Sequence, residues 1–357
     1  MATETEGGPG PARDRRARRI RLGIGLTALA GLLVAIALIA GQGVAAVTGA
    51  VLGLGWGLLW TSLFHLVPMV FSTLGWWVLQ PSPRLGGPLL FFWTRWIREA
   101  VDALLPLGQL GSGLVGARIL SLHGATPRDE KGAAIGGTMG GAVVDMTLEG
   151  ITQVPFTLLG IALLAVRHGY DERIGWMVVG VGVAVVLLAG LVLAQRGGLF
   201  ALLERGLELI ARRTGWQALG RTQGLHDAIA LLHRDRRRLT AGFLLHSLSW
   251  LFGAGETWLA LWFMGRPADL VDALILESLG AAVRSAAFAI PGGLGAQEGG
   301  YLLVAGMLGL DPGTGLALSL VKRVRDLLLG LPALAAWQVV EGRHLLRRGA
   351  ETGGRDS

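Results

Sequence analysis

Apolar residues fall into long, nearly charge-free runs separated by short polar or basic segments. Leu22 to Ala40 and Trp176 to Ala194 are the clearest. At 1.5 Å per residue, runs of this length reach across a hydrocarbon core of about 30 Å. The pattern predicts spans at about 22–40, 44–68, 174–195, 240–264 and 314–340, and a long helix ending near 166 and bent at Pro155. Two further segments are apolar but interrupted. Segment 88–118 carries Arg95, Arg98, Glu99 and Asp102 and is broken by Pro106 and the glycines after it; segment 270–310 is broken at Pro291-Gly292-Gly293. Between 196 and 239, nine arginines in an amphipathic pattern read as interfacial helices on the cytoplasmic face. The expected fold class is an all-α polytopic membrane protein with about six full transmembrane helices and two broken, re-entrant segments. Its organisation reads as a basic tail at 1–21, one transmembrane domain at 22–342 and a second tail at 343–357.

Composition agrees with this path. Of 357 residues, 52% are hydrophobic and only 16% charged, against roughly 25% charged in soluble domains. A net charge of +7 raises the possibility of a nucleic-acid partner, but its distribution argues against one. On the proposed threading the inner segments hold 25 of the 32 Lys and Arg, and the outer loops hold only Arg167, Arg173 and Arg266. That bias predicts both termini on the cytoplasmic side. The arginine-rich start followed by an apolar run has the polarity of a signal peptide, but the run is too long, so it reads as an uncleaved first helix. The absence of cysteine excludes disulfides, thiol catalysis, Cys-ligated zinc and iron–sulfur clusters. No cofactor or metal site is implied.

A weak internal repeat links the two interrupted segments. Ala100-Val101-Asp102, followed by Pro106 and Gly111, resembles Ala282-Val283-Arg284, followed by Pro291, Gly292, Gly293 and Gly295. The first segment dips in from the inside and the second from the outside, so the halves would be related by inversion. Inverted repeats with broken helices at mid-membrane mark many transporters.

The residues that can carry chemistry lie on these segments. A Pro followed by several glycines cannot continue a helix, and irregular backbone at this depth lines a cavity or is buried in protein. A half-helix starting near Gln297 and Glu298 would aim its N-terminal amides at an anion; a packed structural kink is the alternative. Lys322, Arg323, Arg325 and Asp326 fall inside the last span, where each charge costs about 2.5–3.5 kcal/mol without a partner. Candidate partners are Asp145 and Glu149, spaced i,i+4, together with Glu256 and Glu277. The closest pairing is expected between Asp145 or Glu149 and Arg323 or Arg325. Gly111-x-Gly113-x-x-Gly116 matches a dinucleotide fingerprint by spacing, but no strand precedes it. Gly136, Gly137, Gly140 and Gly141 read as close helix packing. His65 and His246 read as interhelical hydrogen-bonding groups.

At Pro291-Gly-Gly-Leu-Gly-Ala-Gln-Glu-Gly-Gly-Tyr301, Leu318-Ser-Leu-Val-Lys-Arg-Val-Arg325 and Leu105-Pro-Leu-Gly-Gln-Leu-Gly111 the chain resembles the flippase-like membrane domain of the lysylphosphatidylglycerol synthase superfamily, within it the hopanoid-biosynthesis-associated (HpnL-type) branch. The resemblance implies an inner-membrane protein linked to lipid translocation. About 17 residues follow the last span, so the soluble aminoacyl-transferase domain of two-domain relatives, and lipid aminoacylation, are not expected. Gly111-Ser112-Gly113 stands where a more acidic stretch is expected. The expected function is movement of a hopanoid, isoprenoid or anionic phospholipid headgroup through a polar cavity, without catalysis. An intramembrane enzyme with Glu298 as general base, or a non-catalytic subunit of a lipid-biosynthesis complex, are the rivals. The expected partners are membrane lipids and lipid-biosynthesis proteins.

Overall fold

Prolines, glycines and short acids set where the helices begin and end. A computed structural model of the protein describes residues 49, 52–80, 86–105, 108–123, 131–170, 172–196, 225–266, 268–287 and 295–353. The expected helix at 22–40, the tail at 1–21 and most of the interfacial stretch (197–224) lie outside the described residues, as do Pro106, Pro291, Gly292 and Gly293. The helices are α1 Trp56–Phe64, α2 Leu66–Val78, α3 Pro88–Leu104, α4 Gly108–His123, α5 Lys131–His168, α6 Glu172–Arg196, α7 Leu225–Arg234, α8 Arg236–Phe263, α9 Leu270–Ala286, α10 Ala296–Met307 and α11 Pro312–Gly353. Pro88 opens α3 at a position where its missing N–H is no loss. Leu105 is extended, as a residue before proline prefers, and closes α3. Asp235 and Asp269 cap α8 and α9 by accepting the backbone N–H of Arg238 (3.1 Å) and Asp272 (2.8 Å).

Two helix ends differ from the sequence reading; the long helix running through Pro155 does not. The second span reaches Val78, ten residues beyond its expected end, because Pro68 falls in the first turn of α2, where proline is tolerated. Pro155 sits inside an unbroken α5. The last helix continues to Gly353, well past residue 340.

Among the described residues, Trp56–Val78, Thr138–His168 and Glu172–Arg196 are long and apolar enough to cross a bilayer. The third exposes nearly its whole length, including Val179, Val186, Leu187 and Leu193. A helix apolar all round and uncovered by protein is matched to lipid, not water. It is tied to α5 near one end by Gln195, which is buried and donates to Thr147 Oγ1 at 2.6 Å.

The packing pairs reveal two halves. α1–α2 and α8 run antiparallel: Gly57 abuts Phe263, Ser249 donates to the Pro68 carbonyl at 2.8 Å, and Arg238 reaches the Gln80 carbonyl. α5 and α9 are antiparallel too, with Arg167 at Asp272 (2.6 Å), Gly160 against Ser278, and Ser285 donating to Gln153 at 3.0 Å. α3 lies antiparallel on α11, where Leu104 meets Gly330 and Trp93 and Trp96 meet Ala333 and Trp337. Arg167, Asp269, Arg266 and Asp311 therefore share one end of the molecule, and Gln80 and Arg238 the other.

The hairpin α3–α4 enters from the Gln80 end and the hairpin α9–α10 from the Arg167 end. Each first arm has 17 residues, about 26 Å, short of a full crossing. The inverted relation expected from the short sequence match is the arrangement found. Each half is a span, a broken hairpin and a long span: α1–α5 and α8–α11. The arms exchange partners, with α3 packed on the last span of the second half and α9 on that of the first.

Candidate functional site

The charges that looked awkward on apolar helices meet at the centre of this arrangement. On α3, Arg95, Arg98 and Glu99 stand at i, i+3 and i+4, hence on one face. Asp145 on α5 is wholly buried. It accepts from Arg98 at 3.0 Å and Arg95 at 3.4 Å, and lies 3.0 Å from His246 Nε2 on α8. Glu149, one turn on, accepts from Arg95 at 2.9 Å. Gly116 of α4 faces this cluster: a Cβ there would sit 2.5 Å from Arg98 Cδ. Arg98 also covers the Trp76 ring, 4.4 Å from its centroid.

A second cluster belongs to the other half. On α11, Arg325 bonds Glu256 of α8 and, at 2.6 Å, its neighbour Asp326. Lys322 lies 2.7 Å from Glu277 of α9 and 3.9 Å from Glu256, over the Tyr301 ring. Thr257 and Tyr301 (3.4 Å) add hydrogen bonds to Glu277. Arg284 near the end of α9 is 4.0 Å from Asp326. Arg323 donates to Glu298 Oε1 at 3.1 Å, and the other oxygen of Glu298 accepts the Gly295 amide at 2.7 Å. Gln297 donates to Ser319 Oγ at 3.3 Å.

Two sequence readings change here, and a third stands. Asp145 and Glu149 do not pair with Arg323 or Arg325; their partners are Arg95, Arg98 and His246, while the cations of α11 take Glu256, Glu277, Glu298 and Asp326. The reason is complementarity of charge, not the closest backbone packing. Each half supplies both signs, so α5 meets the basic arm of its own hairpin and α11 the acidic arm of its own. The amide of Gly295 is not left open for an anion, because Glu298 in the first turn of α10 accepts it. Gly111, Gly113 and Gly116 lie within helix α4, so the dinucleotide spacing has no strand-to-helix turn.

Of the other expected site residues, the structure gathers Arg284, Gln297, Glu298, Lys322, Arg323, Arg325 and Asp326 around α11, and Gly295 opens α10. Gly111 lies within α4. Sequence reasoning did not assign Arg95, Arg98, Glu99, Tyr301 and the two histidines to the site. The i, i+3, i+4 charge triplet of α3 was the signal for the first three.

His65, at the α1–α2 joint, ties the clusters together. Its Nδ1 is 2.7 Å from Glu256 and its Nε2 3.3 Å from Glu99, while Glu99 accepts from Arg95 at 3.1 Å. An unbroken chain of charges thus crosses the core from Asp145 to Lys322. Most members are buried, but Glu99, Glu149 and Arg284 keep about a third of their side-chain surface (32, 32 and 34%). Glu99 lies 11 residues into α3, about 16 Å from its start, and Arg284 about 21 Å along α9. A charge turned toward lipid tails at that depth would be costly.

The model of the lysylphosphatidylglycerol synthase TM region matches residues 21–333. The chain belongs to this family. Neither the curated proteins nor the solved structures contain a match to it. Both charge clusters of this lysylphosphatidylglycerol synthase TM-region protein lie within the matched stretch. Membership makes it a membrane protein and ties it to membrane lipids.

Proposed function

We propose that the protein moves the polar headgroup of a membrane lipid across the bilayer, acting as a flippase. The observation carrying this reading is the pair of broken hairpins that enter from opposite ends and leave Glu99, Glu149 and Arg284 partly exposed at mid-depth. A headgroup crossing hydrocarbon needs polar partners at this depth. Two halves of opposite orientation offer the same passage to both faces when one rocks against the other. In this reading a polar cleft beside these three side chains binds the headgroup, and the acyl or polycyclic tail remains in lipid. No bond is made or broken in this reading, and the protein is a transporter rather than an enzyme.

Among lipids the reading extends to hopanoid, isoprenoid and anionic phospholipid headgroups, in the plasma membrane of a bacterium with both chain termini on the cytoplasmic side. Purified protein in vesicles, with fluorescent headgroup-bearing lipid in one leaflet and a membrane-impermeant quencher outside, tests it. Transfer above that of protein-free vesicles is expected, with the lipid chemically unchanged. Chemical conversion without transfer would replace the reading with an enzymatic one.

A further inference from the structure

We infer that His65 is a proton-binding site whose occupancy links the two halves, so that a proton is the coupling ion of headgroup movement; this rests on the transport reading above. His65 faces charged groups from each helix packed on it: Glu99 of α3, Glu256 of α8 and Arg325 of α11. Behind them stand Arg95 on Glu99, Lys322 on Glu256 and Asp326 on Arg325.

The distances specify where protons must be. A deprotonated Nδ1 and a carboxylate oxygen are both acceptors and would repel at 2.7 Å. A proton between Nδ1 and Glu256 relieves this, and it leaves Arg325 Nη1, 3.1 Å from Nδ1, to donate to the other oxygen of Glu256 alone. The Nε2 contact with Glu99, at 3.3 Å, is a hydrogen bond only when Nε2 is protonated as well. The imidazolium satisfies both carboxylates, and loss of the Nε2 proton releases Glu99 alone. That bond ties the first hairpin to His65 in its own half, and His65 reaches the second half through Nδ1 and Glu256.

Charge balance leads to the same place. In the first cluster Arg95 and Arg98 face Glu99, Asp145 and Glu149, one acid in excess, with His246 beside Asp145. In the second, Lys322, Arg325 and Arg284 face Glu256, Glu277 and Asp326 in balance, with His65 beside Glu256. Counted together, the two clusters hold one acid more than they hold cations, which one protonated histidine offsets. The two histidines differ in access. His246 is sealed in, 1% exposed, and Gly75 presses on its ring. His65 keeps 19% of its side-chain surface, and its partner Glu99 keeps 32%. A proton entering from the cleft thus reaches Glu99 and then His65 Nε2.

The chain has no cysteine, so spin labels attached at Leu89→Cys on α3 and Leu244→Cys on α8 report only these sites. In lipid nanodiscs their separation is expected to shift between about pH 5 and about pH 9, the range in which histidine titrates. His65→Gln and Glu99→Gln should each abolish the shift. The conservative Glu99→Gln serves where His65→Gln fails to fold. An unchanged separation in the wild type, or a shift that survives both substitutions, would overturn the proton site.

The companion measurement uses phosphatidylcholine vesicles containing fluorescent phosphatidylglycerol under an imposed pH gradient. A pH-dependent shift without lipid transfer keeps the proton site and removes the transport reading. Transfer that ignores the gradient, with no shift in label separation, keeps transport and removes the proton.

Discussion

Phe71 and Phe252 stack face to face where α2 crosses α8, with ring centroids 4.9 Å apart and planes 13° apart. They are equivalent residues of the two halves. Phe71 follows Pro68 by three positions and Phe252 follows Ser249 by three, and Ser249 donates to the carbonyl of Pro68, 181 residues away. The same spacing relates His65 to His246 and Asp145 to Asp326. The axis relating the halves therefore passes beside this aromatic pair. Phe71→Ala and Phe252→Ala should each lower the melting temperature in detergent. A double-mutant cycle should show coupling of about 0.5–1.5 kcal/mol, the usual worth of an aromatic pair beyond its buried area. Additive losses would mean the stack contributes only area.

The halves carry opposite charge patterns. Arg95 of the first hairpin faces the acids of α5, whereas Glu277 of the second faces Lys322 of α11. Removing one member strands a buried ion, at a cost of about 3–5 kcal/mol, whereas replacing both with apolar groups is much less harmful. Lys322→Met and Glu277→Leu should each reduce thermal stability and membrane abundance, and the double variant should recover most of the loss. A double variant worse than either single would show that Glu256 and Tyr301 depend on both groups.

How much of this was legible beforehand depends on the level. Apolar runs marked the helices, and the Pro-containing breaks marked the two hairpins, because length and helix-breaking are local properties. Buried charges announced that they needed partners, and Glu256 and Glu277 were among the acids singled out. Which acid met which cation was not readable. The choice turns on how α3 and α11 rotate about their axes, and a rotation of one residue, about 100°, exchanges the partners. The equivalence of His65 with His246 was hidden because few residues between α1–α2 and α8 are identical.

Close backbone packing makes a sharper test than hydrophobicity. A Cβ added at Gly315 would lie 2.3 Å from the Tyr301 carbonyl oxygen, which is backbone and cannot step aside. Gly180, on the lipid-facing helix α6, has nothing within 4 Å. Gly315→Ala should destabilise by about 1–3 kcal/mol through overpacking. Gly180→Ala should be neutral, or stabilising by up to about 1 kcal/mol from helix propensity. Melting curves of the two variants side by side check the contrast.

At the far end Arg167 donates to Asp269 and Asp272, and the Asp269 carboxyl is held below the usual carboxylate range chiefly by that hydrogen bond. A depressed carboxyl adds stability that is fully present above its unfolded pKa, about 3.9. This stability is lost as pH falls through the lower folded value. The pair is exposed, so the effect is small and screened by salt. Arg167→Gln should lower the neutral-pH melting temperature slightly at low salt, flatten its fall below about pH 4, and converge with the wild type in acid.

Glu298 separates the transport reading from its enzymatic rival. Its carboxylate joins the Gly295 amide to Arg323, one oxygen to each. A general base must hold a free lone pair toward substrate, and this carboxylate spends its oxygens on holding the start of α10 against α11. Glu298→Gln keeps the shape and an acceptor for the amide but loses the charge opposite Arg323, so it should lower translocation while sparing part of it. An enzyme using Glu298 as base would instead lose essentially all activity, with folding intact. Gly295 is the companion case. Its φ of 77° is a conformation side chains resist, and its surroundings are open, with nothing within 4 Å of an added Cβ. Backbone strain alone, about 1–3 kcal/mol, should therefore decide Gly295→Val, and stability, abundance and transport should fall together. Melting temperature, membrane abundance and lipid transfer measured on both variants read the outcome. A well-folded Glu298→Gln protein with no residual activity would end the positioning role assigned to this carboxylate.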